Sequence, residues 1–138
     1  MAMSLIQRMA RRFRRFGRLR ARHLRLGRLG ENLACRMLTE LGLDVLERNY
    51  RTKAGEIDIV ARDGAVLCFI EVKTRHRRVD SRPADAVDAT RRKRLQNAAN
   101  KYRDALPDEF SAYYRFDIVE VIFEKTRLAQ INYLRQAW

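Results

Sequence analysis

The order of apolar and polar positions predicts one α/β domain with the element order αβββαββ. A first helix is predicted over 26–41, because leucines recur at helical spacing and Gly42 suits its C-terminal end. Shorter apolar stretches predict strands, and a second amphipathic stretch after Pro83 predicts a helix. The predicted strands cover 43–51, 56–62, 65–73, 113–124 and 128–134, and the second helix covers 83–106. The pattern therefore favours a mixed β-sheet flanked by helices.

The second and third strands are predicted to form a β-hairpin at the centre of the sheet. Asp63-Gly64 is expected to be its two-residue turn, of type I′, which places Asp58 opposite Phe69. Asp58 and Glu71 are then diagonal neighbours about 7 Å apart at the backbone. Side chains alternate between the two faces of a strand. One face would thus carry Glu56, Asp58, Phe69, Glu71 and Lys73, and the other Ile57, Ile59, Ile70 and Val72.

Two neighbouring carboxylates on one face suggest a metal site. Facing carboxylates raise each other's pKa, and a hard divalent cation removes the repulsion. Mg²⁺ and Mn²⁺ prefer oxygen ligands, so Asp58 and Glu71 are candidate ligands. Lys73 would lie on the same face, where it can hold a water or stabilise charge on a phosphate. The alternative is a solvated face on which Lys73 neutralises a surface carboxylate, and the pattern alone leaves both open.

The charge of the chain favours a polyanionic partner. The net charge is +13, and ten of the positive charges are arginines within residues 1–29, which contain no acidic residue. Residues 30–138 therefore carry a net charge of only +3. Nucleic acid is the expected partner, because neutralised phosphates release counterions. A basic protein kept soluble by its charge, or one that touches acidic lipid, remains an alternative, and composition does not separate DNA from RNA.

Residues 1–29 are predicted to form an Arg-rich arm attached to a domain of residues 30–138. Apolar residues at roughly helical spacing allow a basic amphipathic helix. A phosphate-binding or surface-anchoring arm, a disordered extension and an upstream mis-start all remain open, and an organelle transit peptide is the least favoured interpretation. No apolar run approaches the ~20 residues of a membrane span. Arginines interrupt the short apolar segments, so a secretory signal is not expected either.

The remaining reactive residues point to a reduced, cytoplasmic protein without a zinc site. Cys35 and Cys68 are the only cysteines and lack C-x-x-C spacing, so buried thiols are expected. His23 and His76 are isolated, which argues against zinc. The chain contains no G-x-S-x-G, GxxxxGK or GxGxxG motif.

After Lys73 the sequence becomes polar and cationic, which predicts a loop from Thr74 to the second helix. Such a loop could be a lid or a phosphate clamp, or only a solvated connection. Arg91 to Arg94 are consecutive cations in the second helix, so they should fan around it, with one or two of them facing a substrate groove. Asp117 lies within a strand that is expected to be buried, and a structural role is predicted for it.

Several phrases together resemble a known nuclease-like family. Asp58, followed after twelve residues by Glu71-Val72-Lys73, is similar to the D…E-x-K core of the PD-(D/E)xK nuclease superfamily. A wider set resembles the bacterial YraN family, whose members look like Holliday-junction resolvases. Its phrases are GENLA at 30–34, RNYR at 48–51, GEIDIVARD at 55–63, FIEVKTR at 69–75 and RFDIV at 115–119. The resemblance spans about residues 27–134 and implies a restriction-endonuclease-like core.

The resemblance implies a metal-dependent endonuclease that acts on DNA, with branched or single-stranded DNA as candidate substrates. Asp58 and Glu71 would bind Mg²⁺ or Mn²⁺, and Glu31 of the first helix would complete the ligand set. Lys73 would place the attacking water or stabilise charge on phosphorus, and Glu56 is a second-shell or additional ligand candidate. The predicted nucleic-acid-binding cations are Arg75, Arg77, Arg78, Arg91 and Arg94.

Two further hypotheses accompany the enzyme. A non-catalytic DNA-binding recombination accessory protein would keep the fold without cutting DNA. Junction resolution normally needs two active sites, so a homodimer is a hypothesis for a resolvase-like protein.

Overall fold

The computed structural model describes residues 23–77, 89–125 and 127–138. The predicted order of elements is confirmed, with one added helical turn in the predicted loop after the second helix. The elements are helix α1 (His23–Glu40), strands β1 (Asp44–Thr52), β2 (Gly55–Asp63) and β3 (Val66–His76), helix α2 (Ala89–Asp104), the turn α3 (Asp108–Ser111), and strands β4 (Tyr114–Glu124) and β5 (Arg127–Leu134). The predicted arm up to residue 22, Arg78, and the predicted helix start at Pro83 lie outside the described residues.

The five strands form one mixed sheet in the order β1-β2-β3-β4-β5. Strands β3 and β4 pair in parallel, and the other neighbours pair antiparallel. The segment that contains α2 connects the parallel pair, as a parallel connection requires a long crossover. The predicted α/β class is confirmed, and the mixed sheet with its flanking helices is compatible with a restriction-endonuclease-like core.

Each face of the sheet is covered by one helix. Helix α1 packs its leucine stripe on one face, in a core with Ile59, Ile70 and Val119. Helix α2 packs Leu95, Ala98 and Ala99 on the other face, in a core with Ile57, Val60, Leu67 and Phe69. Because both faces of the central strands are buried there, residues 59–61 of β2 and 66–70 of β3 are all apolar.

The predicted register of the hairpin is wrong by two residues. Asp63 pairs with Val66, so the turn consists of Gly64 and Ala65. Gly64 has a φ of +59°, and Ala65 is not in the left-handed region. A positive φ at the first loop residue alone is the pattern of a type II′ turn, whereas the predicted type I′ turn needs it at both.

The predicted alternation of faces is also wrong, because it breaks at Asp58. Ile57 packs on the α2 side of the sheet, whereas Ile59 packs on the α1 side. The cause lies in the neighbouring strand, where Asn49 has a φ of +52°. This left-handed residue sends Arg48 towards α1 and Tyr50 towards α2, and these two residues pair with Ile59 and Ile57.

Strand β3 is longer than predicted, and the predicted loop from Thr74 is wrong over its first three residues. Thr74, Arg75 and His76 continue the strand and pair with β4. Polar side chains indicate a loop only weakly, and here the apolar end of β4 supplies a parallel partner for their backbone groups. Lys73 and Arg75 therefore lie on a fixed strand.

Gly55 determines how closely α2 approaches the sheet. A Cβ atom at this position would lie 1.9 Å from the carbonyl oxygen of Arg94. Only glycine permits such a close backbone approach. The N-terminal half of α2, with Arg91 and Arg94, is thereby held against β2.

Candidate metal and nucleic-acid site

Asp58 lies where the β2–β3 ladder ends. The recorded pairing runs from Asp63 and Val66 to Ile59 and Ile70. At the next step the backbone N–H of Val72 donates to Asp58 Oδ2 at 2.8 Å. A side-chain carboxylate accepts this strand amide, and this contact brings Asp58 beside Glu71, the residue before Val72.

Glu71 is a buried carboxylate with little to stabilise it. It is 2% exposed, and its Oε1 lies 2.6 Å from Nε of Arg91 on α2, whose side chain is 59% exposed. The contact is an ion pair without hydrogen-bond alignment, and neither Glu71 oxygen has a hydrogen-bond partner in the described part of the chain. Buried charges are normally paired and hydrogen-bonded, so this carboxylate meets only half of that requirement.

These residues line an open cleft between α2 and the ends of β2 and β3. Its volume is about 330 Å³. The lining residues are Glu56, Asp58, Glu71, Thr90, Arg91, Arg94 and Leu95. Three acidic side chains and two arginines therefore surround one cavity.

Electrostatic coupling in the cleft is visible in the pKa of Asp58, which is raised to about 6. Burial is the largest cause, and the hydrogen bond from the Val72 amide opposes it. The negative charges of Glu31 and Glu71 raise the pKa further, and Arg91 lowers it. The site therefore stabilises a positive charge beside Asp58, whether a proton or a cation.

Lys73 lies on the same face of β3 as Glu71, and it pairs with Glu120 in the register of β3 and β4. Burial lowers the pKa of Lys73, and Glu71 raises it. Arg75 and Arg91 lower it again. The lysine therefore interacts with both members of the Glu71–Arg91 pair at the cleft.

Glu31 approaches from α1 but is held by β1. Its Oε2 accepts a hydrogen bond from Asn49 Nδ2 at 3.3 Å and lies 3.9 Å from Arg48. Among residues 23–77, 89–125 and 127–138, no group of three or more acidic, histidine or cysteine side chains is arranged to hold a metal ion. Asp58 and Glu71 line the same cleft. The role of Glu31 as a third ligand stays a prediction.

A two-carboxylate site still fits a hard cation. Mg²⁺ is usually bound through one or two carboxylates, with waters and substrate phosphates as its other ligands. The Glu71 oxygens have no hydrogen bond within the described residues, and Asp58 lines the same cleft. The donor set is therefore appropriate for Mg²⁺ or Mn²⁺.

The other predicted site residues occupy different positions. Glu56 lines the cleft but is exposed, 3.9 Å from Arg51. Arg75 lies 4.0 Å from Glu120, and Arg77 is 3.1 Å from Glu124. Of the predicted cations, Arg91 and Arg94 line the cleft, whereas Arg78 lies outside the described residues.

Asn49 is a residue that the sequence analysis missed. It redirects β1 through its left-handed backbone, and its side chain holds Glu31. Asparagine is one of the few residues that adopt this conformation readily. The available signal was an asparagine inside a predicted strand.

Fold and site together define an α/β protein with a carboxylate pair in a cleft lined by arginines. Residues 30–121 match the model of the uncharacterised protein family UPF0102. The chain belongs to this family, which confirms the resemblance to YraN proteins.

Relatives from several bacterial groups match most of the chain. A UPF0102 protein of Clostridium kluyveri is 44% identical over 100 residues, which are 71% of this chain and 80% of the relative. One from Solibacter usitatus is 46% identical over 81% of this chain and 84% of the relative. One from Rhodococcus opacus is 36% identical over 86% and 99%, respectively. Separately, no helix within the described ranges is long and apolar enough to cross a membrane.

Proposed function

We propose that this protein is a metal-dependent endonuclease that hydrolyses DNA phosphodiesters, with branched or single-stranded DNA as its candidate substrates. The observation that carries the proposal is the state of Glu71. A carboxylate that is 2% exposed, has the largely exposed Arg91 as its ion-pair partner, meets no hydrogen-bond criterion among the described residues and faces an open cleft beside Asp58 is expensive to keep. A cation-binding role explains this expense, whereas a role in stability does not.

In the proposed mechanism, the carboxylates would bind the metal ion and the cationic side chains would bind the substrate phosphates. Asp58 and Glu71 would hold Mg²⁺ or Mn²⁺, which when bound supplies Lewis-acid stabilisation of charge on the phosphoryl oxygens. Glu31 would act as a third ligand, or its negative charge would act on Asp58 from a distance by raising the pKa of that aspartate. Glu56 would be an additional ligand at the rim of the cleft.

Lys73 would position the attacking water or stabilise the negative charge that develops on the phosphoryl group. Its lowered pKa reflects burial, and its partners on the sheet hold it near Glu71. Arg91 and Arg94 would bind the phosphates on either side of the scissile bond. Arg91 forms an ion pair with Glu71 in this structure. When a cation binds to Glu71, Arg91 would leave this carboxylate and bind a phosphate instead.

The alternative is a non-catalytic DNA-binding recombination accessory protein. The observation that favours it is the position of Arg91, which already neutralises Glu71. The absence of a three-ligand cluster among the described residues points the same way. In this case the cleft would bind phosphate without hydrolysing it.

A cleavage assay separates the two functions. Labelled duplex, single-stranded, flap and four-way DNA would be incubated with Mg²⁺, Mn²⁺ or EDTA. We expect metal-dependent cutting that Asp58→Asn and Lys73→Ala each reduce at least about 100-fold, the typical effect of removing one group that stabilises transition-state charge. DNA affinity should be retained.

The matched control is Lys101→Ala, which removes an exposed lysine from the far end of α2. It should cut like the wild type. DNA binding without cutting in either metal would overturn the enzyme and support the accessory role.

A further inference from the structure

A second groove runs along the side of α2 that faces β4 and the C-terminal residues. Its volume is about 560 Å³, larger than that of the carboxylate cleft. Two cations, several side-chain amides and two aromatic rings line it. The residues that give the groove its chemistry are Arg92, Lys93, Asn97, Asn100, Tyr114 and Phe116.

Within the described residues, the α2 positions that line this groove include no acidic residue. These positions, 89, 92, 93, 96, 97 and 100, follow helical spacing and form one stripe along α2. The only carboxylate of α2 is Asp104, at its last residue. Solvated helix faces usually mix both signs of charge. A stripe of cations and amides alone is instead complementary to an anion that also carries hydrogen-bonding edges.

Aromatic rings form the floor of the groove. Tyr114, the first residue of β4, is 42% exposed. Its neighbour on the same face, Phe116, stacks on Trp138 with ring centroids 4.3 Å apart and an interplanar angle of 14°. The guanidinium of Arg92 lies 5.4 Å from the centroid of the Trp138 ring. The guanidinium of Arg103 lies over the Tyr114 ring, 3.7 Å from its centroid, and Tyr114 keeps the exposed fraction given above. Cations and aromatic rings are thus interleaved, as in proteins that stack unpaired bases.

We propose that this groove binds an unstacked base and its phosphate from single-stranded nucleic acid. Tyr114 would stack on the base, Asn97 and Asn100 would bond to its edges, and Lys93 would neutralise a phosphate. A base in a duplex offers no free π-face to such a floor. This inference rests on the proposed nucleic-acid function and names the form of the substrate.

The groove and the carboxylate cleft share helix α2 as a wall. Arg91 faces the cleft and the next residue, Arg92, faces the groove. The two sets of lining residues lie on different sides of α2, so the groove and the cleft are separate sites on one helix. In the proposed substrate, a single-stranded segment adjoins the bond to be cut.

Trp138 provides a direct test, because it is the only tryptophan of the chain and stacks on the groove residue Phe116. The full-length protein would be titrated with oligo(dT) in EDTA while tryptophan fluorescence and oligonucleotide anisotropy are recorded. We expect saturable quenching with the same affinity in both signals. Tyr114→Leu, which keeps an apolar side chain, should weaken binding about tenfold, since one base–aromatic stack is lost.

Lys93→Gln and Lys101→Gln form a matched pair on α2, since both lysines are exposed and only Lys93 lines the groove. Lys93→Gln should lower the slope of log K against log salt by about 0.7, the value for one phosphate contact on a single strand. Lys101→Gln should leave it unchanged. Equal effects of the two substitutions would overturn the proposal, as would unquenched fluorescence at saturation.

Competitors identify the source of the base. Oligo(rU) that displaces oligo(dT) supports a groove that ignores the sugar, and dTMP displacing it at high concentration supports a single-base site. Blunt duplex that quenches Trp138 as strongly as oligo(dT) would overturn the proposal. Asp58→Asn should quench normally, so failure of catalysis and failure of the groove are distinguishable.

Discussion

Two buried carboxylates on adjacent strands of the same sheet have opposite surroundings. Glu71 of β3 is 2% exposed and Asp117 of β4 is 1% exposed, and the register places Asp117 opposite Ile70, the residue before Glu71. Glu71 has one ion pair with the largely exposed Arg91 and no hydrogen bond in the described part of the protein. Burial alone therefore does not tell a structural carboxylate from a functional one.

Three groups donate hydrogen bonds to the carboxylate of Asp117. Arg115 Nε donates to both of its oxygens at 3.1 Å, and the hydroxyl of Tyr133 and the backbone N–H of Gln136 donate as well. Burial and the bond to Asp117 raise the pKa of Tyr133. Burial alone would lower the pKa of Arg115, but its bonds to Asp63, Tyr133 and Asp117 raise it. The predicted structural role of Asp117 agrees with this complete network.

The difference teaches which carboxylate is available for chemistry. A fully hydrogen-bonded carboxylate ties β4 to β5 and the C-terminal residues, and it has no oxygen left for a ligand. The oxygens of Glu71 are not hydrogen-bonded within the described residues, so they can bind a ligand. This availability lowers the stability of the fold, as is common in active sites. Three predictions test this contrast, from the largest effect to the smallest.

The first prediction compares isosteric amide substitutions at the two carboxylates. Asp117→Asn should lower the free energy of unfolding by about 3–5 kcal/mol, because three donor groups lose a charged acceptor and Arg115 loses a buried partner. Glu71→Gln should change it by less than about 1 kcal/mol. Urea unfolding of the metal-free proteins measures both, and similar losses at the two positions would contradict the comparison.

The second prediction concerns the pH dependence that Asp58 introduces. Its pKa is about 6 in the folded protein, against 3.8 for an unperturbed aspartate, so the folded state holds the proton more tightly. The stabilisation is therefore complete below about pH 4 and is lost as pH rises through 6. At neutral pH this loss amounts to at most about 3 kcal/mol.

Asp58→Asn removes this titration while its side-chain oxygen can still accept the Val72 amide. We expect the difference in unfolding free energy between variant and wild type, without metal, to grow in favour of the variant from pH 4 to pH 7. Carboxylates that are not coupled to Asp58 cancel in the difference, whereas Glu31 and Glu71 interact with it. A difference that is constant with pH would show that Asp58 titrates normally.

The third prediction concerns the counter-charge of Glu71. Arg91→Gln should destabilise the metal-free protein by about 1–2 kcal/mol, less than for a fully buried pair because Arg91 is 59% exposed. Under the proposed function, millimolar Mg²⁺ should stabilise the variant more than the wild type, since no arginine competes for Glu71. Thermal unfolding with and without Mg²⁺ measures both effects, with Lys101→Gln as the control. Equal Mg²⁺ shifts in the two proteins would contradict competition at Glu71.

The sequence alone was sufficient for the order of elements and for the candidate carboxylates. Helical leucine spacing in α1 and the apolar runs of β2 and β3 are local signals, because burial on one or both faces imposes them directly. Asp58, Glu71 and Lys73 stood out because charged residues interrupt those runs.

The tertiary structure decided the register, the faces and the partners. The turn moved to Gly64 and Ala65, and the alternation of faces depended on one left-handed residue, Asn49, in a neighbouring strand. The contrast between Glu71 and Asp117 depended on Arg91, Tyr133 and the backbone of Gln136. These contacts join residues 16 to 20 positions apart, and local periodicity carries no information about which distant donor reaches a buried oxygen.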